Sequence, residues 1–351
     1  MKTHIINGNS YKLPDILNNF QLDMYIHLID WKWKYITKTP GTNIYRKVEI
    51  EYDAILPKSV ISTYPIIYPN ILNQFKTHLH AFPFRVHKFF DHMASSQAAN
   101  VNLFLPILTN PKADEILRLL KNDYDRLAKN FLVIGKLDNG YRIEFWDEPN
   151  NNLSDKTKVS GTDSDIAITY YNKENELCLW LIEHKLTEAE FTECGGFKSR
   201  GRKDFVRHDC TKSFSDILNN KNYCYYHDVS KFNYWNITDT HKAFFTNHNH
   251  HSQCPFRGGM NQLWRNQLLG LSIEDDSRQS FKHVYFSVVK HPNNHYLDNS
   301  IADYKTLVNY NPKFSDYTSL DFLTAAATLK DPSLNSWIDW YKELYNINIL
   351  N

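Results

Sequence analysis

The chain has 351 residues, of which 42% are hydrophobic and 23% charged. That is enough apolar material for a packed core and excludes a wholly disordered chain. At about 150 residues per domain, the length allows two domains or one core with large additions. Forty Lys+Arg against thirty-nine Asp+Glu leave a net charge of +1. This excludes a histone-like polycation, so any contact with nucleic acid must come from a local basic patch.

No segment approaches the ~18–20 uninterrupted apolar residues of a membrane span. The N-terminal run from Met1 to Ser10 turns polar before a signal-peptide core can form. The expectation is a soluble, cytoplasmic protein without membrane contact. Five cysteines are an odd count in a long chain and argue against a disulfide framework. There is no internal repeat and no long linker.

Residues 1–90 read as an N-terminal extension with no legible role. Trp31-Lys32-Trp33-Lys34-Tyr35 alternates as a half-buried strand with outward lysines would; a nucleic-acid-stacking surface is the alternative. Prolines at 57, 65, 69, 83 and 106 divide the first third into short elements. His92 to Leu105 reads as a helix, with Met93, Gln97, Asn100 and Phe104 along one side. Lys112 to Leu132 reads as a second, with Leu117, Leu120, Tyr124 and Leu127 on its apolar face.

The texture then changes. Tyr141 to Trp146 alternates as a strand, Asp147 to Asn152 is a loop, and Ile166–Tyr171 and Leu177–Leu186 form two more strands. A short polar turn, Asn172 to Glu176, joins those two as a hairpin. A charged, glycine-punctuated insert covers 194–257. Met260 to Leu269 reads as a helix, Val284 to Val289 as a buried strand, and Leu320–Leu329 and Leu334–Tyr345 as helices. Residues 91–290 therefore read as an α/β (α+β) core with a mixed sheet, and 291–351 as a C-terminal helical region.

The chemistry sits on the hairpin. Side chains alternate along a strand, so Glu183 and Lys185 share a face. An acidic residue opening the preceding strand, Asp163 or Asp165, lies at the same open end. Two carboxylates and a lysine then converge at the rim of the sheet. Alone, an acid and a lysine two apart are usually a surface ion pair. Here the pair ends a strongly apolar strand, and an acid follows Gly161 at the head of its partner. Two carboxylates can hold a hard divalent ion that keeps several waters, as phosphodiester hydrolysis requires. The lysine can orient or help deprotonate the attacking water.

With Gly161, Asp165-Ile166-Ala167 and Leu181-Ile182-Glu183-His184-Lys185 in place, the sequence resembles the PD-(D/E)xK nuclease superfamily. More narrowly it resembles a bacterial restriction-endonuclease-like group. The marks are Ser95-Ser96-Gln97-Ala98 with Asn102-Leu103-Phe104, Glu183 through Glu188, Cys254 through Gly259, and Gln262-Leu263 with Arg265-Asn266-Gln267. The Pro-Asp of the superfamily's name is absent. The resemblance spans roughly residues 90–290 and implies a restriction-endonuclease-like fold acting on double-stranded DNA with Mg²⁺ or Mn²⁺, in restriction or another antiviral role. It implies Asp165 and Glu183 as ion ligands, with Asp163 as the rival first ligand, and Lys185 as the catalytic lysine. It also places Gln262 near the active site, where its other reading is an ordinary polar helix residue. Relatives often supply a carboxylate from the first helix; Gln97 stands there instead, and Glu115 is a weaker substitute.

Cys194, Cys210, Cys224 and Cys254 all lie in the insert, separated by 15, 13 and 29 residues. The spacing is not that of a zinc knuckle. Four cysteines in one insert nevertheless fit a structural metal, zinc ahead of an iron–sulfur cluster, with His248, His250 and His251 as substitute ligands; buried free thiols are the alternative. Lys198, Arg200, Arg202, Lys203 and Arg207 outnumber nearby Asp204 and Asp209 and can contact backbone phosphates, or form a solvated face. Cutting both strands of a duplex generally needs two sites, which points to a homodimer. A non-catalytic DNA-binding protein on a nuclease fold, and an RNA-cleaving or structure-specific nuclease with the same site, are the competing readings.

Overall fold

The computed structural model describes residues 2–6, 8–45, 47–84, 86–87, 89–129, 138–156, 161–198, 208 and 210–347. Its centre is a six-stranded mixed sheet built from β5 (Tyr124–Leu127), β6 (Tyr141–Phe145), β7 (Ser164–Asn172), β8 (Leu177–Lys185), β9 (His283–Lys290) and β10 (Phe314–Thr318). The order is β10-β9-β8-β7-β5, and β6 shares the outer edge of β7 with β5. β8, β9 and β10 run parallel; β7 is antiparallel to β5, β6 and β8. Two strands on one edge are possible because β6 pairs with the first half of β7 and β5 with the second half. The expected mixed sheet flanked by helices is what the chain forms.

The hairpin β7–β8 forms locally. Asn175 takes a left-handed φ of 60°, which asparagine tolerates. Asn172 closes the turn by accepting the Glu176 N–H at 2.7 Å. All nine residues of β8 are buried, because helices cover both faces of the sheet, and this accounts for its near-continuous apolar run. Cys178, Trp180 and Ile182 enter one core; Leu177, Leu179 and Leu181 enter the other.

The first core is closed by α3 (Ser96–Leu108), α4 (Ala113–Leu120), α7 (Ser319–Thr328) and α8 (Pro332–Tyr345), together with α1 (Asn19–Tyr35) and α2 (Leu72–Ala81). It runs from Met24 to Ile347, so residues from all three sequence regions share it. The second core is closed by α5 (Met260–Glu274), α6 (Asp298–Leu307) and the insert, whose short helices include Phe214–Asn219 and Tyr234–Thr240. No helix among the described residues is long and apolar enough to cross a membrane.

Helix α3 starts at Ser96, capped by Ser95, whose side chain accepts the Ala98 N–H. Every residue from Gln97 to Leu108 is buried, so it has no polar face to mark its orientation. Pro106 lies within this helix rather than ending an element. A helical proline leaves the carbonyl four residues back without its partner. Here that carbonyl, on Asn102, accepts the Trp337 indole N–H of α8 at 2.7 Å.

Two local expectations are corrected. Residues Trp31 to Tyr35 are the last turns of α1, not a strand. Five alternating residues are too few to separate periods of 2 and 3.6. The deciding features are the Asn18–Gln21 capping box and burial of Met24, Leu28, Trp31 and Lys32 along one side. Lys32 is fully buried, its ammonium donating to the Thr39 and Asp53 carbonyls at 2.7 and 2.8 Å. The second helical stretch ends at Leu120, and Tyr124 to Leu127 form β5. Leu127 and Tyr124 anchor a sheet edge, and the Leu127 N–H and the Tyr124 hydroxyl both donate to Asp114, each at 2.7 Å. Residues 1–90 also hold two hairpins, β1 (Lys2–Ile6) with β2 (Asn9–Leu13) and β3 (Gly41–Tyr45) with β4 (Val48–Tyr52).

Candidate active site

A cleft of about 570 Å³ opens at the ends of β6, β7 and β8. Asp165, Glu183, Lys185 and Gln262 all line it, as does Asp163. Helix α1 and the hairpin β3–β4 contribute the opposite wall through Tyr25, Asn43 and Tyr52. Five carboxylates face it, Glu144, Asp163, Asp165, Glu183 and Glu188, with Lys185 as the lysine among the described lining residues.

Strand alternation puts Glu183 and Lys185 side by side, with Lys185 Nζ 2.7 Å from Glu183 Oε1. Both are nearly buried. Burial opposes the ammonium charge of Lys185, but Glu183, Glu188 and Asp165 outweigh it and hold its pKa above the ordinary lysine value. Lys185 is therefore a fixed positive charge, suited to orient groups rather than to take a proton at neutral pH.

Helix α5 fixes Glu183 from the other side. Gln262 and Asn266 are four residues apart and so share a face. Gln262 donates to Glu183 Oε1 at 2.6 Å, and Asn266 to Glu183 Oε2 at 2.8 Å. Gln262 is itself oriented, because its carbonyl oxygen accepts the Thr192 N–H at 3.1 Å. Close approach of helices sets the entry to α5: a Cβ on Gly259 would lie 2.5 Å from Ser300 Oγ.

Asp165 sits on β7, and continuing the Ile166–Ile182 register by one residue places it opposite Glu183. Its carboxylate accepts the His184 N–H at 2.6 Å, and its carbonyl accepts from Asn100 of α3 at 2.9 Å. Burial, then the charges of Glu183 and Glu144, push its pKa well above the usual carboxylate range. Asp163 is more exposed and pairs with Lys156 at 3.5 Å. Both rivals thus reach the cleft, Asp165 within the hydrogen-bonded ladder and Asp163 at its mouth.

Sequence reasoning missed two residues. Asn266 carried a signal, its spacing of four from Gln262. Glu144 carried none. It has φ 53° inside β6, and the strand's alternation reverses there: Ile143 packs in the first core and Phe145 in the second. Glu144 is 7% exposed. Gln97 donates to it at 2.8 Å, and the Gln97 carbonyl oxygen accepts the His87 N–H at 2.9 Å, which fixes the amide orientation. So Gln97, on α3, holds a carboxylate that comes from a strand. Burial, then Asp163, push the Glu144 pKa up to about 8. Glu115 is exposed on α4, outside the residues that line the cleft.

The donor set suits a hard divalent ion: carboxylate oxygens in excess of the lysine charge, at a solvent-accessible rim. Among the described residues no three His, Cys, Asp or Glu side chains already converge on one point. Magnesium needs only one or two carboxylates with retained waters, so Asp165 and Glu183 fit it.

No disulfide joins the insert's Cys194, Cys210, Cys224 and Cys254 among the described residues. They occupy one neighbourhood despite their sequence spacing: the thiol of Cys254 is pushed up first by burial and then by Cys224, with Cys194 and Cys210 also close enough to act. Burial, then Cys194, push Cys224 up to about 12. His248 stacks on Phe214 at 4.5 Å between centroids. The side chains of Lys198, Arg200, Arg202, Lys203 and Arg207 lie outside the described residues.

A search of curated proteins gave no match, and neither did a search of solved structures. Residues 34–346 match a family described as restriction endonuclease associating with ARP. That match takes in the hairpin β3–β4, the strands that carry Asp165, Glu183 and Lys185, and the C-terminal helices, while Tyr25 of α1 lies before it. The chain belongs to this restriction-endonuclease family.

Proposed function

We propose that the protein is a Mg²⁺-dependent endonuclease of the PD-(D/E)xK type that hydrolyses DNA phosphodiester bonds, in restriction or another defence role. The observation that carries this is the arrangement of Asp165, Glu183 and Lys185 on two paired strands at one cleft, in a chain of a restriction-endonuclease family. Asp165 and Glu183 would hold the ion, which when bound polarises the phosphoryl group and lowers the pKa of a water.

The chain's own residues supply the rest. Gln262 and Asn266 fix both oxygens of Glu183. They are positioning residues, and such partners of ion ligands are typically worth about 10–100-fold in affinity or activity. Lys185 places a full positive charge beside Glu183, where it can hold the attacking water or a phosphate oxygen. The wall formed by Tyr25, Asn43 and Tyr52 limits how a nucleic-acid strand enters. Cutting a duplex calls for two such sites, so a homodimer on double-stranded DNA is part of the proposal. Native mass spectrometry that finds only monomer, with and without DNA, removes that part.

The test is supercoiled plasmid incubated with purified protein and Mg²⁺, with EDTA and Lys185→Ala as controls. Mg²⁺-dependent nicking or linearisation that is lost in the variant is expected. Cleavage that persists in EDTA or in Lys185→Ala rules out this site. Cleavage of RNA or branched DNA alone would move the substrate and keep the chemistry.

A further inference from the structure

We propose that Glu144 is the third carboxylate of the ion site, supplied by β6 where the first helix offers only Gln97. The inference rests on the nuclease reading of the cleft and names a ligand beyond Asp165 and Glu183. It stands on the register of three adjacent strands. Ile143 lies opposite Ile166 and Phe145 opposite Ser164, which brackets Glu144 against Asp165. Ile166 lies opposite Ile182, and one residue further Asp165 faces Glu183. Glu144, Asp165 and Glu183 thus form one row across β6, β7 and β8. Asp165 and Glu183, opposed on regular strands, have Cβ atoms about 4.5–5.5 Å apart, and the left-handed Glu144 turns its side chain to the same cleft.

Each carboxylate is held by other donors in this structure. Glu183 takes Lys185, Gln262 and Asn266; Asp165 takes the His184 N–H; Glu144 takes Gln97. His87 Nε2 lies 4.0 Å from the second oxygen of Glu144. Gln97 is locked by the His87 N–H and is 1% exposed, so it keeps Glu144 at the cleft instead of letting it turn into either core. Rotation of Glu144 and Glu183 toward Asp165 is what would convert the row into an ion site. Asp163, at the mouth and paired with Lys156, is the competing third ligand.

The test is calorimetric titration of the ion-free protein with Ca²⁺, without nucleic acid, for the wild type, Glu144→Gln, Glu183→Gln and Asp163→Asn. Glutamine at 144 keeps the size of the side chain and the bond from Gln97, and a melting curve of each ion-free variant verifies that it is folded. The expected result is Ca²⁺ affinity at least tenfold weaker in both Glu144→Gln and Glu183→Gln, with Asp163→Asn close to wild type. Wild-type affinity in Glu144→Gln with loss in Glu183→Gln overturns the proposal and leaves the nuclease reading standing. Loss in Asp163→Asn with none in Glu144→Gln overturns it in favour of the rival. Unchanged affinity in Glu183→Gln, or no Ca²⁺ binding by the wild type, overturns both this proposal and the ion site beneath it.

Discussion

Stability of the protein in chelator is expected to pass through a maximum near pH 6.5 and to fall toward pH 8, and Glu144→Gln should make that fall shallower. The Glu144 pKa rises from 4.5 to about 8 on folding, through burial and then the charge of Asp163. A raised carboxyl pKa contributes stability that is complete below about pH 4.5 and gone above about pH 8, because the unfolded chain releases the proton first. Buried histidines act in the opposite sense lower down. Burial lowers His78, His92 and His291 to about 4 and His184 to about 3, from 6.5. Those four groups make stability rise with pH up to about 6.5 and are silent above it. From pH 6.5 to about 8, Glu144 alone then gives a decline of roughly 2 kcal/mol, at about 1.4 kcal/mol per pH unit, and Asp165 adds in the same direction. The assay is denaturant unfolding in chelator at half-unit steps from pH 5 to 9. Equal decline above pH 6.5 in the wild type and Glu144→Gln would exclude Glu144 as its source, and a wild type whose stability keeps rising to pH 8 would exclude the raised carboxyl pKa altogether.

Lys185→Ala leaves Glu183 nearly buried without its cation, which should cost about 3–5 kcal/mol of ion-free stability. Millimolar Mg²⁺ should recover part of it; thermal melts with and without the ion decide. Asn266→Ala removes the donor to Glu183 Oε2 and is expected to cost about 1–3 kcal/mol and to slow plasmid nicking about 10–100-fold. Unaltered nicking would mean Glu183 needs no support from α5. Trp337→Phe strands the Asn102 carbonyl freed by Pro106. A loss of about 1–3 kcal/mol in denaturant unfolding, with cleavage unchanged, is expected.

Features that depend on near neighbours along the chain were legible before folding. A period of two put Glu183 and Lys185 on one face, and the polar turn at Asn172–Glu176 paired their strand with the one that Asp165 opens. The four-residue step from Gln262 to Asn266 was likewise readable, although the target of that helix face was not. Tertiary structure decided everything that depends on which surfaces meet. The helical pattern after Lys112 stops at Leu120 because Tyr124 and Leu127 are wanted at a sheet edge. Trp31 to Tyr35 became helix because a core reaching to Trp340 covers one side of α1. Glu144 was hidden in an ordinary strand pattern, since a single left-handed residue reversed the alternation and turned it to the cleft. Gln97 gained its role only when β6 arrived beside α3. Local patterns report how the chain is pleated or coiled; burial and hydrogen-bond satisfaction between distant segments choose the partners, and no short window of residues contains that information.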